Sequence, residues 1–272
     1  MDFMSISKKG QVTIFIIISV LIVAAVGGIV YIESIKEPVE SPEVKEIRSF
    51  VEPCLKSVSG DAVLVIGEQG GYYNAPENAN YFLFFPRPYY IYETESLVPK
   101  KEFLEKSLGL YIEENIDICL SNFTLLKEKG YDVKKAGTNK ATVRIDGRYN
   151  SVNFKTIIPI SVTKGSTTSL VTDFSTTIAP VRFETLLKAS NDIAISETRD
   201  PRSICMSCVN DIADKYDLNV TILTTDVRDD VIYIITDKNS NFSGFPFEYS
   251  FAARYAFPDC EGAKECLEAL RQ

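Results

Sequence analysis

ATVRIDGRYNSVNF, residues 141–154, decides the fold class of this chain. Ala141, Val143 and Ile145 alternate with polar residues, and a period of two puts every second side chain on one face of a strand. Asp146-Gly147 offers a hairpin turn, after which Val152 and Phe154 resume the alternation. Ile158, Ile160 and Val162 extend it to Lys164-Gly165. The stretch predicts an antiparallel sheet.

Upstream the period changes. Val44, Ile47, Val51, Cys54, Leu55, Val58, Ala62, Val65 and Ile66 recur at three and four, which predicts an amphipathic helix ending at Gly67, Gly70 and Gly71. Pro53 lies inside it and predicts a kink or a break. A second helix is predicted from about Lys100 to Glu128, with Leu104, Leu108, Ile112, Cys119, Phe123 and Leu126 on one stripe and Gly109 weakening its middle. Downstream, a helix over Val181–Ser196 precedes another beginning near Asp200-Pro201, an acid at the cap and a proline in the first turn. Strands follow around 220–223 and 231–236. Helices and strands come in blocks rather than in strict alternation, which predicts an α+β domain of amphipathic helices packed on an antiparallel sheet.

The N-terminal end is different. No charged residue occurs from Gly10 to Ile32, and those 23 residues make roughly 34 Å of helix, enough for a hydrocarbon core. Ala24-Ala25 offers the alternative of a cleaved secretory signal, but the apolar pattern runs on through Ile32. Lys8 and Lys9 precede the run, and Glu33, Glu37, Glu40 and Glu43 follow it, so the positive-inside rule leaves the amino end cytoplasmic and the rest outside. The expected organisation is a leader over 1–10, a transmembrane helix over 11–33, a proline-containing spacer over 34–43 and an extracytoplasmic α+β domain over 44–272. The expected location is the cell membrane, crossed once.

Composition narrows the function. The chain of 272 residues holds no histidine, which removes Ser-His-Asp and Cys-His catalysis and histidine metal sites. A net charge of -8 and the lack of a basic footprint exclude nucleic acid as a partner. Paired acids such as Glu113-Glu114 and Asp229-Asp230 read as solvated faces and turns that nothing brings together as an acid-base pair, and there is neither a phosphate-binding glycine loop nor a nucleophile elbow. No cofactor is expected.

Lys8-Lys9-Gly10-Gln11, followed by Val12-Thr13 and an isoleucine-rich run, resembles the class III signal of archaeal type IV pilin-like proteins. The resemblance covers about the first 32 residues. It implies that a prepilin peptidase cuts between Gly10 and Gln11, and that other pilin-like subunits are partners. Phe15 departs from the pattern, since many pilins carry a glutamate there. VEPCLKSV at 51–58, followed by GGYY at 70–73, is similar to uncharacterised archaeal surface proteins with this leader and implies no activity.

All six cysteines follow the apolar run, and an even number outside the cytoplasm reads as disulfides. Cys54 and Cys119 share the apolar stripes of two helices and are the first expected pair. Closing the loop of about 64 residues between them would stabilise the fold by roughly 4 kcal/mol. Cys260 and Cys266 are the second expected pair. Cys205-Met206-Ser207-Cys208 leaves three readings: a structural bridge or packed thiols, a redox dithiol, or half of a four-thiolate zinc site completed by Cys260 and Cys266. A helix capped at Asp200 would bury Cys205 more than a turn inside, which favours the structural reading over redox chemistry; the tail spacing of five between Cys260 and Cys266 is wide for zinc and the compartment favours oxidation, so no metal is expected.

Tyr81 to Tyr92 holds seven aromatics in twelve positions, with Phe84, Phe85, Tyr89 and Tyr90 as candidates for a binding surface. The alternative is an aromatic hairpin covering the sheet. Of the three sequons outside, at Asn122, Asn219 and Asn241, Asn241 is the candidate for glycosylation because it falls in a loop rich in Asn and Ser. The expected function is a non-enzymatic surface protein with a structural, adhesive or binding role. The alternative is an envelope thiol-disulfide oxidoreductase acting through Cys205 and Cys208.

Overall fold

The computed structural model describes residues 17–26, 40–242 and 244–258. The chain divides into two compact units, Met1–Pro42 and Glu43–Gln272. In the first, α1 is helical over residues 17–26. Among the described residues no helix is long and apolar enough to cross a membrane. The expected fold, with a transmembrane helix at its front, is corrected accordingly. The rest of the expected 11–33 span, and Gly10 and Gln11, lie outside the described residues.

The second unit is α+β. Its α2 (Pro42–Glu68) runs through Pro53 as one element instead of breaking. Ile47, Val51 and Leu55 are buried before and beside the proline and Val58, Ala62, Val63 and Ile66 beyond it. Packing on both sides offsets the lost backbone bond, which costs about 3 kcal/mol. A hairpin of β1 (Asn80–Phe82) and β2 (Phe85–Arg87) leads into β3 (Tyr89–Tyr92) and β4 (Glu95–Ser96). Then α3 (Lys101–Leu120) gives way to a 3-10 turn, Ser121–Phe123, before the short α4 (Thr124–Glu128). The single helix expected over 100–128 is broken there because Ser121, Asn122 and Phe123 all take positive φ. Gly109 lies where α3 crosses the sheet: a Cβ there would stand 3.2 Å from the Ala141 carbonyl oxygen.

Strands β5 (Asp132–Lys135), β6 (Lys140–Asp146), β7 (Ser151–Lys164) and β8 (Thr167–Ile178) form one antiparallel sheet. β5 and β6 share one side of the long β7, and β8 takes the other. The β6–β7 connection is longer than a two-residue turn. Asp146 accepts the amides of Arg148 and Tyr149 through Oδ1 and so closes a wider loop. Next come α5 (Phe183–Glu197), α6 (Met206–Tyr216), β9 (Asn219–Thr224), β10 (Asp230–Phe242) and β11 (Phe245–Arg254).

A second sheet has the order β4-β3-β11-β10-β9, with β3 parallel to β11 and the other pairs antiparallel. The aromatic segment does not stay at an edge or over the sheet, because β3 is an inner strand between β4 and β11. Helices α2, α3 and α5 and the inner faces of both sheets share one apolar core. On the far face of the second sheet a smaller cluster of Tyr89, Ile232 and Ala252 is partly covered by Phe82 and Tyr92.

Cys54 on α2 and Cys119 on α3 are bridged, with Cα atoms 5.7 Å apart. Stripes at helical spacing bring these positions together, and the bridge staples the two longest described helices of the domain. Cys205 and Cys208 are also bridged. Cys260 and Cys266, the other expected pair and the other half of the zinc reading, lie outside the described residues.

Candidate functional site

The β1–β2 hairpin pairs Asn80 with Arg87 and Phe82 with Phe85, leaving Leu83-Phe84 as a two-residue turn. Such turns need positive φ at both central residues and favour Asn-Gly. Here φ is 50° at Leu83 and 70° at Phe84. Both are bulky, and each left-handed residue of this kind costs roughly 1–2 kcal/mol. Neither residue recovers that cost by burial: Leu83 is 69% and Phe84 99% exposed, with Tyr81 at 69% and Phe85 at 43% beside them.

The root of the finger is polar and rigid. Asp230, which the sequence places in a solvated turn, is instead buried at the start of β10, because it accepts from Asn80 Nδ2 at 2.9 Å, from the Tyr89 hydroxyl at 2.5 Å and from Arg254 Nε at 2.7 Å. Burial alone would raise the Asp230 carboxyl, but donation from Arg254, Tyr89 and Asn80 brings it below its ordinary value. The same burial, together with the bond to Asp230, pushes the Tyr89 hydroxyl up to about 12. The Arg254 guanidinium also lies over the Tyr89 and Tyr92 rings, 5.3 and 5.4 Å from their centroids. Between this cluster, the finger and the β9–β10 turn lies a groove of about 510 Å³, lined by Tyr81, Leu83, Thr225 and Val227 among others.

The four aromatic candidates therefore separate. Phe84 and Phe85 stand exposed on the finger. Tyr89 is buried as the root of it, and Tyr90 is fully buried in the core. Tyr90 is drawn inside because its hydroxyl finds the Gly70 carbonyl at 2.7 Å and lies 2.5 Å from the Tyr249 hydroxyl, while its ring stacks on Phe251 at 4.5 Å. Strand alternation sends Tyr89 and Tyr90 to opposite faces, a distinction that an unbroken aromatic run conceals.

The second cluster surrounds Cys205. Asp200 does not cap a helix: it accepts from the Arg202 amide in a local turn, and the Pro201 carbonyl takes the Ala256 amide at 2.8 Å. That tie holds the chain beside the end of β11 and delays the helix to Met206, with Cys205 as its cap. Cys205 Sγ accepts the Cys208 amide at 3.3 Å. Beneath it, Glu197 at the end of α5 is buried. Its Oε2 accepts from the Cys205 amide at 3.3 Å and from the Tyr255 hydroxyl at 2.7 Å, and its Oε1 has no partner. Burial raises the Glu197 carboxyl above its ordinary value against these two donors.

Asn241 lies in β10, paired with Pro246, rather than in a loop; it is exposed, and its Oδ1 accepts the Gly244 amide at 2.9 Å. Among the described residues no three acidic or sulfur side chains gather as metal ligands. No family model, curated protein or solved structure matches this chain.

Proposed function

We propose that residues 43–272 are the binding domain of a cell-surface protein, facing an oxidising compartment, and that the Tyr81–Phe85 finger docks another protein subunit at that surface. The observation that carries this reading is the finger tip. Two bulky residues are held in a strained conformation and left in water, which opposes stability on both counts, so the gain is made when a partner's apolar pocket covers them. The rigid Asp230 cluster at the root supports the reading by fixing the finger's direction, which lowers the ordering cost of docking. The two bridges suit an extracytoplasmic setting. The leader resemblance supports other pilin-like subunits as the partners and a prepilin peptidase as the processing enzyme. The role of the finger is structural or adhesive.

A photoreactive phenylalanine analogue placed at position 84 in cells tests the docking. The expected result is a crosslink to one defined surface protein, lost on Leu83→Ser with Tyr81→Ser while thermal stability is kept. Crosslinks to lipid alone, or none, refute it. The N-terminal residue of the chain recovered from membranes tests the leader: Gln11 supports processing, and an intact Met1 excludes it.

A further inference from the structure

We propose that Cys205 and Cys208 are a redox-active pair that oxidises a dithiol in another polypeptide, an activity independent of the finger. Four features of the fold converge here. Cys205 caps α6, so its sulfur lies at the end of the helix where backbone amides point outward and the dipole is positive. The first turn of α6 holds no acidic residue to cancel that field. The sulfur already accepts the Cys208 amide, the bond that would hold a thiolate once the bridge opens. Both cysteines are half-buried, and the two residues between them, Met206 and Ser207, are exposed, so a substrate sulfur has an open approach.

Glu197 is the fourth feature. A buried carboxyl with one oxygen unpartnered, tied to the backbone nitrogen of the cap, is an unusual element in a merely structural staple. It touches no sulfur in the hydrogen-bond network and acts as a positioning residue, holding the Cys205 amide while Tyr255 holds it in turn. The Cys54–Cys119 bridge caps no helix start: it joins the apolar stripes of α2 and α3, with Cys54 buried and Cys119 half-buried. It provides a reference inside the same molecule.

The exchange runs in two steps. A substrate thiolate attacks Cys205 Sγ; the bond to Cys208 breaks, and Cys208 departs with the electron pair and takes a proton from water. The second substrate thiolate then attacks the substrate sulfur of the mixed disulfide and releases Cys205 as a thiolate stabilised at the helix end. The substrate dithiol loses two electrons and becomes a disulfide, and the pair gains them. A single turnover needs no other oxidant.

The full chain is equilibrated in glutathione buffers of graded composition, trapped by alkylation and read by peptide mass. Cys205–Cys208 is expected to open at a ratio of reduced to oxidised glutathione at least about tenfold lower than Cys54–Cys119 requires. One equivalent of a two-cysteine peptide per chain is expected to be oxidised, with Cys205→Ser abolishing this and the double variant Cys54→Ser, Cys119→Ser leaving it intact. Glu197→Gln keeps an acceptor for the Cys205 amide and removes the charge. It should make the pair about threefold or more easier to reduce at slightly alkaline pH. An unchanged ratio removes Glu197 from the site. A Cys205–Cys208 bridge as resistant as Cys54–Cys119, or a reduced Cys205 that alkylates with the ordinary thiol pKa of about 8.5, overturns the proposal.

Discussion

Replacing Leu83 by Asn and Phe84 by Gly should make the protein more stable while destroying its docking. The wild-type turn holds two left-handed residues that glycine and asparagine adopt without comparable cost, a relief of roughly 2–3 kcal/mol. Against this, glycine loosens the unfolded chain by about 0.5–1 kcal/mol. The lost side chains take little burial with them, since Phe84 is 99% and Leu83 69% exposed. The net expectation is a gain of about 1–2 kcal/mol, which for a domain of this size raises Tm by roughly 3–6 °C. Differential scanning calorimetry reads the shift, and the crosslinking partner read at position 85 should be lost in the same variant. A variant that melts at a lower temperature would mean that the tip packs against the protein after all. The strain argument, and the docking reading built on it, would then fail.

The other expectations concern the frame that holds the sites. Cys54→Ser with Cys119→Ser should lower stability by about 4 kcal/mol, the chain-entropy cost of freeing their loop; an unchanged denaturant midpoint under non-reducing conditions would contradict it. Asp230→Asn should cost about 2–3 kcal/mol at neutral pH, below the full value for a broken buried pair because the Arg254 side chain keeps 31% exposure. Since the folded Asp230 pKa lies below its unfolded value, its contribution is present above about 3.9 and fades as pH falls through the folded pKa, so melting curves of variant and wild type should converge in acid. Glu197 has the opposite sign. Its folded pKa is raised, so the ionised group penalises the fold above that pKa and the penalty disappears on acidification. Glu197→Gln should therefore melt higher than wild type at pH 7 and no higher at pH 4, and equal shifts at both would refute the assignment.

How far the sequence alone reaches follows from which interactions are local. Period-two alternation at Ala141, Val143 and Ile145 and the helical stripe through Val51, Leu55 and Val58 depend on burial of one face, and they place β6 and α2 directly. The stripes also bring Cys54 to Cys119. What the sequence misplaces is set by contacts distant along the chain. Asp200-Pro201 has the chemistry of a helix start, but Ala256 takes the Pro201 carbonyl and moves the start to Met206. That shift of a few residues changes Cys205 from a side chain inside a helix to the helix cap, and with it the chemistry open to the pair. The strand β11 carries Phe247, Tyr249 and Phe251 at a period of two, a signal equal to that of β6, yet the expected strands end at 231–236 and leave it out. Its role as the central strand joining β3 in parallel is a long-range pairing that alternation cannot announce. The aromatic run at 81–92 has the same character. Composition marks it as sticky, but only the sheet decides that Tyr90 is core, Tyr89 is a root and Phe84 is left in water. A functional surface here is the remainder after tertiary structure has claimed the rest of an apolar segment, so residue type alone could name the segment but not the residue.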